Sequence, residues 1–135
     1  MTLLAPLKYH QLLALGKRSH DDNAPCICIS KSLQGWESPL ISIPQHQLRD
    51  IGTLVCSDDE NLTLDEYHPA GTHYWSLDAP IAPRYFPYNR CKVSQCNSCG
   101  RCFLRYTESG AYHIEERIRY LDAALIVDEP LPTTV

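Results

Sequence analysis

CKVSQCNSCGRC, residues 91–102, places four cysteines within twelve residues, and its reading decides the fold of the C-terminal half. Cys96 and Cys99 are separated by two residues, the spacing that lets both sulfurs point at one centre. Gly100 follows, and a residue without a Cβ lets the backbone turn back beneath the thiols and aim amide donors at them. Cys91 lies five residues before this turn and Cys102 three residues after Cys99. If the flanking segments run antiparallel, Cys91 and Cys102 approach each other at the base of a hairpin. The stretch is therefore expected to form a hairpin closed at Cys96–Gly100.

Cys96-Asn97-Ser98-Cys99-Gly100 resembles the zinc knuckle of zinc-ribbon proteins. The resemblance implies one structural Zn2+ held by Cys91, Cys96, Cys99 and Cys102. Three histidines could replace Cys102 as the fourth ligand. His68 ranks first among them, because it would tie a proline-rich segment to the ribbon; His73 and His113 follow. A catalytic zinc would need an open coordination position and a nearby acid or base, so a structural role is expected. The triplet Cys91, Cys96, Cys99 (C-x4-C-x2-C) also resembles the loop of plant-type [2Fe–2S] ferredoxins, with fillers of similar type at Lys92, Ser98 and Gly100. That family takes its fourth cysteine from a distant position, and no cysteine follows Cys102 here.

Outward from the cluster, Arg101–Thr107 alternates as a strand, with Arg101, Phe103 and Arg105 on one face and Cys102, Leu104 and Tyr106 on the other. Glu108-Ser109-Gly110 supplies a turn, and Ala111–Arg119 reads as the return strand. The apolar run Ala123–Val127 ends before Pro130 and Pro132. Upstream, His68–Tyr88 carries four prolines and five aromatic residues, which predicts an ordered but irregular segment packed on the core. Residues 57–66, SDDENLTLDE, read as an exposed acidic loop. Cys26–Ile29, Trp36–Ile43 and Gly52–Cys56 are strand candidates, and Leu48–Val55 could instead be a helical turn. Leucines near helical spacing over residues 3–18, with Pro6 suited to a first turn, predict a short N-terminal helix. Cys26, Cys28 and Cys56 are expected as core thiols. The resulting expectation is one α+β domain, residues 1–135, with antiparallel strands: an α+β part over 1–83 and a zinc-ribbon-like hairpin part over 84–128.

With 135 residues, 44% apolar and 21% charged, the chain has the balance of an ordinary globular domain. No apolar run approaches the ~18 residues of a membrane span. An odd number of cysteines, seven, argues for a reducing, cytoplasmic setting. The net charge of −4 is unevenly spread, since residues 84–119 hold seven basic and three acidic side chains. No phosphate-cradling glycine loop, nucleophile elbow or helical H-E-x-x-H is present. His113-Ile114-Glu115 follows the cysteines instead of preceding them, unlike the deaminase order.

Two functions from different classes fit these features. The first is a non-catalytic, zinc-stabilised protein-interaction module that uses its acidic stretch against a basic partner. One version is a bacterial immunity or antitoxin protein that binds and blocks a toxin. The second is a nucleic-acid-binding ribbon, in which Arg84, Tyr85, Tyr88, Arg90, Lys92, Arg101, Phe103, Arg105 and Tyr106 interleave cations with stacking rings. Electron transfer by an iron–sulfur centre ranks third.

Overall fold

The computed structural model describes residues 6–21, 35–36, 47–55, 65–109 and 114–130. The strand candidates at Cys26–Ile29 and beyond Trp36, most of the acidic loop, Cys56 and His113 lie outside the described residues. Within them, one helix and a four-stranded antiparallel sheet make an α+β arrangement. The helix α1 spans Tyr9–Asp21. The strands are β1 (Leu48–Thr53), β2 (Lys92–Cys96), β3 (Cys102–Ser109) and β4 (Ile114–Tyr120), hydrogen-bonded in the order β1-β2-β3-β4.

Pro6 does not open the helix, as its spacing suggested. It forms a parallel bridge to Thr53, and the Leu7 amide donates to the Thr53 carbonyl at 2.9 Å. That bond holds residues 6–7 extended against β1, so helical geometry begins only after them. Gln11 then reaches back, its Oε1 accepting from the Lys8 amide at 2.8 Å, which satisfies one of the donors left over at a helix start. Leu12 is fully buried. Gly16, one turn further along the same stripe, lets the helix approach Ala123 and Ile126; a Cβ there would lie 3.2 Å from both.

Leu48–Thr53 is a strand, which excludes the helical alternative for this stretch. Its register on β2 runs Leu48↔Cys96, Arg49↔Gln95 and Asp50↔Ser94, then shifts between Asp50 and Gly52. The irregularity sits where the chain before α1 crosses. A Cβ on Gly52 would lie 2.6 Å from a Leu7 methyl and 2.7 Å from its Cγ, so glycine is required there by close approach.

The predicted alternation along β3 is the organising feature. Leu104 and Tyr106, with Cys102, Cys91 and Val93, face a core completed by Leu12, Trp36, Ile81, Tyr88, Leu121 and Ile126. Each fully buried aliphatic side chain there contributes about 1.5–3 kcal/mol. Phe103 faces the other way, into a smaller cluster with Leu48, Cys96 and Ile118. The proline-rich stretch is ordered and irregular, as expected. Its Ala79, Ile81, Ala82, Tyr85 and Tyr88 are buried, and Ile81 bridges Ile126 in parallel. Arg119, on β4 opposite Leu104, is fully buried and holds this segment down. Its guanidinium donates to the Tyr88 hydroxyl, to the Ala79 carbonyl at 2.8 Å and to the Leu77 carbonyl at 3.3 Å.

Candidate functional site

The cysteine cluster is divided by the sheet. Cys96 ends β2 with its side chain in the Leu48–Phe103–Ile118 cluster, and Cys99 packs against that same cluster from the turn. Cys91 and Cys102 belong to the larger core on the opposite face. Gly100 has φ 87°, the left-handed geometry that the knuckle resemblance asks of it, and its amide donates to the Cys96 carbonyl at 2.9 Å. The turn is further pinned by the Asn97 amide on the Gln47 carbonyl (2.7 Å) and by Gln95 Nε2 on the Gly100 carbonyl (3.1 Å).

Cys91 is not brought to this turn. Extended backbone separates it from Cys96 by five residues, roughly 16 Å at ~3.3 Å per residue. Two thiolates on one zinc lie within about 4.6 Å of each other, twice a bond of ~2.3 Å. The same extension keeps Cys91 away from any small cluster held by Cys96 and Cys99. The Cys91 thiol instead donates to the Pro87 carbonyl at 3.3 Å. Burial pushes its pKa well up, with Arg119 acting weakly in the opposite sense. Burial also raises Cys102, to about 11, against the pull of Arg18 and with some help from Cys99. These four described cysteines are unbridged, and Cys99 alone of the four is partly exposed. Among the described residues, no group of three or more His, Cys, Asp or Glu side chains could hold a metal ion. Of the four cysteines, the fold brings Cys96 and Cys99 together at one turn.

The substitute ligands are elsewhere. Both ring nitrogens of His68 are engaged, Nδ1 with the Thr72 hydroxyl at 2.7 Å and Nε2 with Glu66 at 2.8 Å. His73 is exposed on the proline-rich segment. The interleaved cations and rings also separate: Tyr85, Tyr88, Phe103 and Tyr106 are core side chains with at most 6% exposure, so their faces are closed to a nucleobase.

Sequence reasoning missed a surface feature in the proline-rich segment. Trp75 and Leu77 are the large apolar side chains exposed among the described residues, at 52% and 65%. Trp75 stands edge-on to Tyr74, with ring centroids 4.7 Å apart, and Arg117 lies over its ring at 5.2 Å. The Tyr74 hydroxyl is bonded in turn to that of Tyr106, and its ring stacks on Trp36. The exposed tryptophan is thus mounted on core aromatics. The ring count of the segment pointed to order, but nothing local marked which ring would remain outside.

No helix among the described residues is long and apolar enough to cross a membrane. Comparison with protein-family models, with curated proteins and with solved structures gave no match.

Proposed function

We propose that this chain is a non-catalytic protein-interaction module that docks through Trp75 and Leu77. The observation that carries the reading is the exposure of these two side chains on a segment that is otherwise pinned down. A lone exposed leucine is ordinary, but a half-exposed tryptophan beside it, held in a fixed orientation, has the character of an interface anchor. Little ordering entropy remains to be lost when such a side chain enters a pocket. Asp78 is exposed on the same segment and Asp65 and Glu66 just before it, and the whole chain carries −4. The partner is therefore a protein with an apolar pocket rimmed by basic side chains. A toxin blocked by an immunity or antitoxin protein in the bacterial cytoplasm is one such pair. The odd number of cysteines, seven, accords with a reducing compartment. Burial of four rings removes the stacking platform that the nucleic-acid reading needs.

Zinc enters this proposal as a structural ion at the Cys96–Cys99 turn. It would be completed by ligands other than Cys91; Cys102 is the thiol next in line, because although it packs in the larger core its Sγ reaches back to the Gly100 carbonyl of the turn at 3.8 Å. Its role would be to stiffen the β2–β3 connection.

A photo-crosslinking residue at position 75, introduced in the native host, is expected to capture one protein, whereas the same residue at Arg84 captures none. With that partner purified, Trp75→Ala should weaken binding by about 2 kcal/mol, roughly 30-fold. Unchanged affinity in both Trp75→Ala and Leu77→Ser would overturn the reading.

A further inference from the structure

A second feature lies on the opposite side of the sheet from Trp75 and is independent of it. β2 and β3 pair with Lys92 directly across from Arg105, so both cations project from the same face. Like charges placed opposite each other on a sheet repel and are destabilising. Arg90, from the 3-10 turn Tyr88–Arg90 that leads into β2, adds a third. The three line a cavity of about 330 Å³ together with Asp50, Thr107 and Glu116. That is the lower end of the size range for small-molecule pockets.

The charges are organised as well as gathered. Ser94 Oγ donates to Asp50 Oδ1 at 2.7 Å, and Arg105 reaches both, with Nε on Ser94 Oγ at 2.9 Å and Nη2 on Asp50 Oδ1 at 2.8 Å. This triad crosses β1, β2 and β3 and fixes the Arg105 guanidinium at the cavity wall. Asp50 is thereby committed to Arg105 and Ser94, which leaves Glu116 as the other carboxylate of the lining against Arg90 and Lys92. Thr107 contributes a hydroxyl. Lys92 is exposed at the mouth. Three cations, one of them held in a preset orientation, with one hydroxyl around a cavity of this size form a receptor for a compact oxyanion. The lining carries three cations against two carboxylates, so it keeps a net positive charge in a chain that is acidic overall.

We propose that the cavity between Arg90, Lys92, Arg105 and Thr107 binds a phosphate group, either free or as the monoester of a small organic molecule. Arg105 and Arg90 would hold the non-bridging oxygens, with the exposed Lys92 adding a third cation.

The full chain, labelled with 15N, is titrated with inorganic phosphate, with glycerol phosphate and with chloride at matched ionic strength. Saturable shifts are expected at the amides of Lys92, Arg105 and Thr107 with either phosphate and not with chloride. Tighter binding of glycerol phosphate identifies the monoester as the preferred form, and equal or weaker binding identifies free phosphate. Lys92→Gln, which alters an exposed side chain, should weaken binding about tenfold, the value of one charge-assisted hydrogen bond. Arg84→Gln, whose guanidinium is bonded to Asp128 outside this lining, should leave binding unchanged. The proposal is overturned by shifts that grow linearly and match those in chloride, or by equal affinity in Lys92→Gln and the parent. It is also overturned if these amides respond to an oligonucleotide alone, with the response fading as salt rises.

Discussion

Replacing Arg119 by methionine removes a buried cation while keeping a side chain of similar length. Arg119 is the largest of the fully buried side chains among the described residues. Its guanidinium serves the Ala79 carbonyl at 2.8 Å, the Tyr88 hydroxyl and, more weakly, the Leu77 carbonyl at 3.3 Å. In Arg119→Met those acceptors remain and their donor is gone. A buried acceptor left unsatisfied costs about 1–3 kcal/mol. Two strong bonds therefore place the gross loss at roughly 2–6 kcal/mol. Relief of guanidinium desolvation acts the other way. It comes back in full only when every member of a buried polar group is exchanged for apolar ones, which a single substitution does not do. A net loss of about 2–4 kcal/mol is expected. In a domain of this size that lowers Tm by roughly 8–15 °C. Urea unfolding followed by fluorescence is a suitable assay, since Trp36 is buried among Tyr74, Tyr88 and Tyr106. Arg84→Met is the control, because the Arg84–Asp128 pair is about half exposed on both sides and such pairs contribute less than about 1 kcal/mol. A stability for Arg119→Met equal to or above that of the control would refute the assignment of Arg119 as the tie between sheet and proline-rich segment.

Gly52→Ala should destabilise by about 1–3 kcal/mol in thermal melts, because its Cβ would strike the Leu7 side chain near its branch point. Elemental analysis of Cys96→Ser and Cys99→Ser should find metal content abolished and the melting point lowered, while Cys91→Ala should retain the metal; loss of metal in Cys91→Ala alone would move the ion away from the turn. Burial tends to raise the Asp50 pKa, yet hydrogen bonds from Ser94 and Arg105 and the charges of Arg105 and Lys92 bring it below the ordinary value of 3.8. A folded pKa below the unfolded one means stability that is present above the unfolded pKa and lost as pH falls through the folded one. Melting points taken from neutral pH down into that acidic range should fall more steeply for the parent than for Asp50→Asn, and parallel curves would count against the triad.

Some of this protein is legible in short windows of sequence. The two-residue period of residues 102–107 assigns Leu104 and Tyr106 to one face and Phe103 and Arg105 to the other, and the structure keeps that division. Gly100 follows from the turn chemistry of the residues beside it. The ordered character of the proline-rich stretch follows from its rings. Each of these rests on forces acting among near neighbours, which the order of residues contains directly.

Other features depend on contacts between residues far apart in the chain. Lys92–Cys96 has a polar, weakly patterned sequence and is a strand because β1 and β3 hydrogen-bond to it on both sides. That extension carries Cys91 away from Cys96, although their spacing alone allowed a shared centre. Arg119 occupies an alternating position that any exposed residue could fill; it is buried because the 77–88 segment lies across it. Trp36 and Trp75 are the same residue type, yet one is enclosed among three tyrosines and the other is half exposed. Residue order fixed the local periods and turns, because backbone sterics and alternation act over a few residues. Which face is covered, and which side chain is left exposed, was settled only when segments as far apart as Gly16 and Ala123 came together.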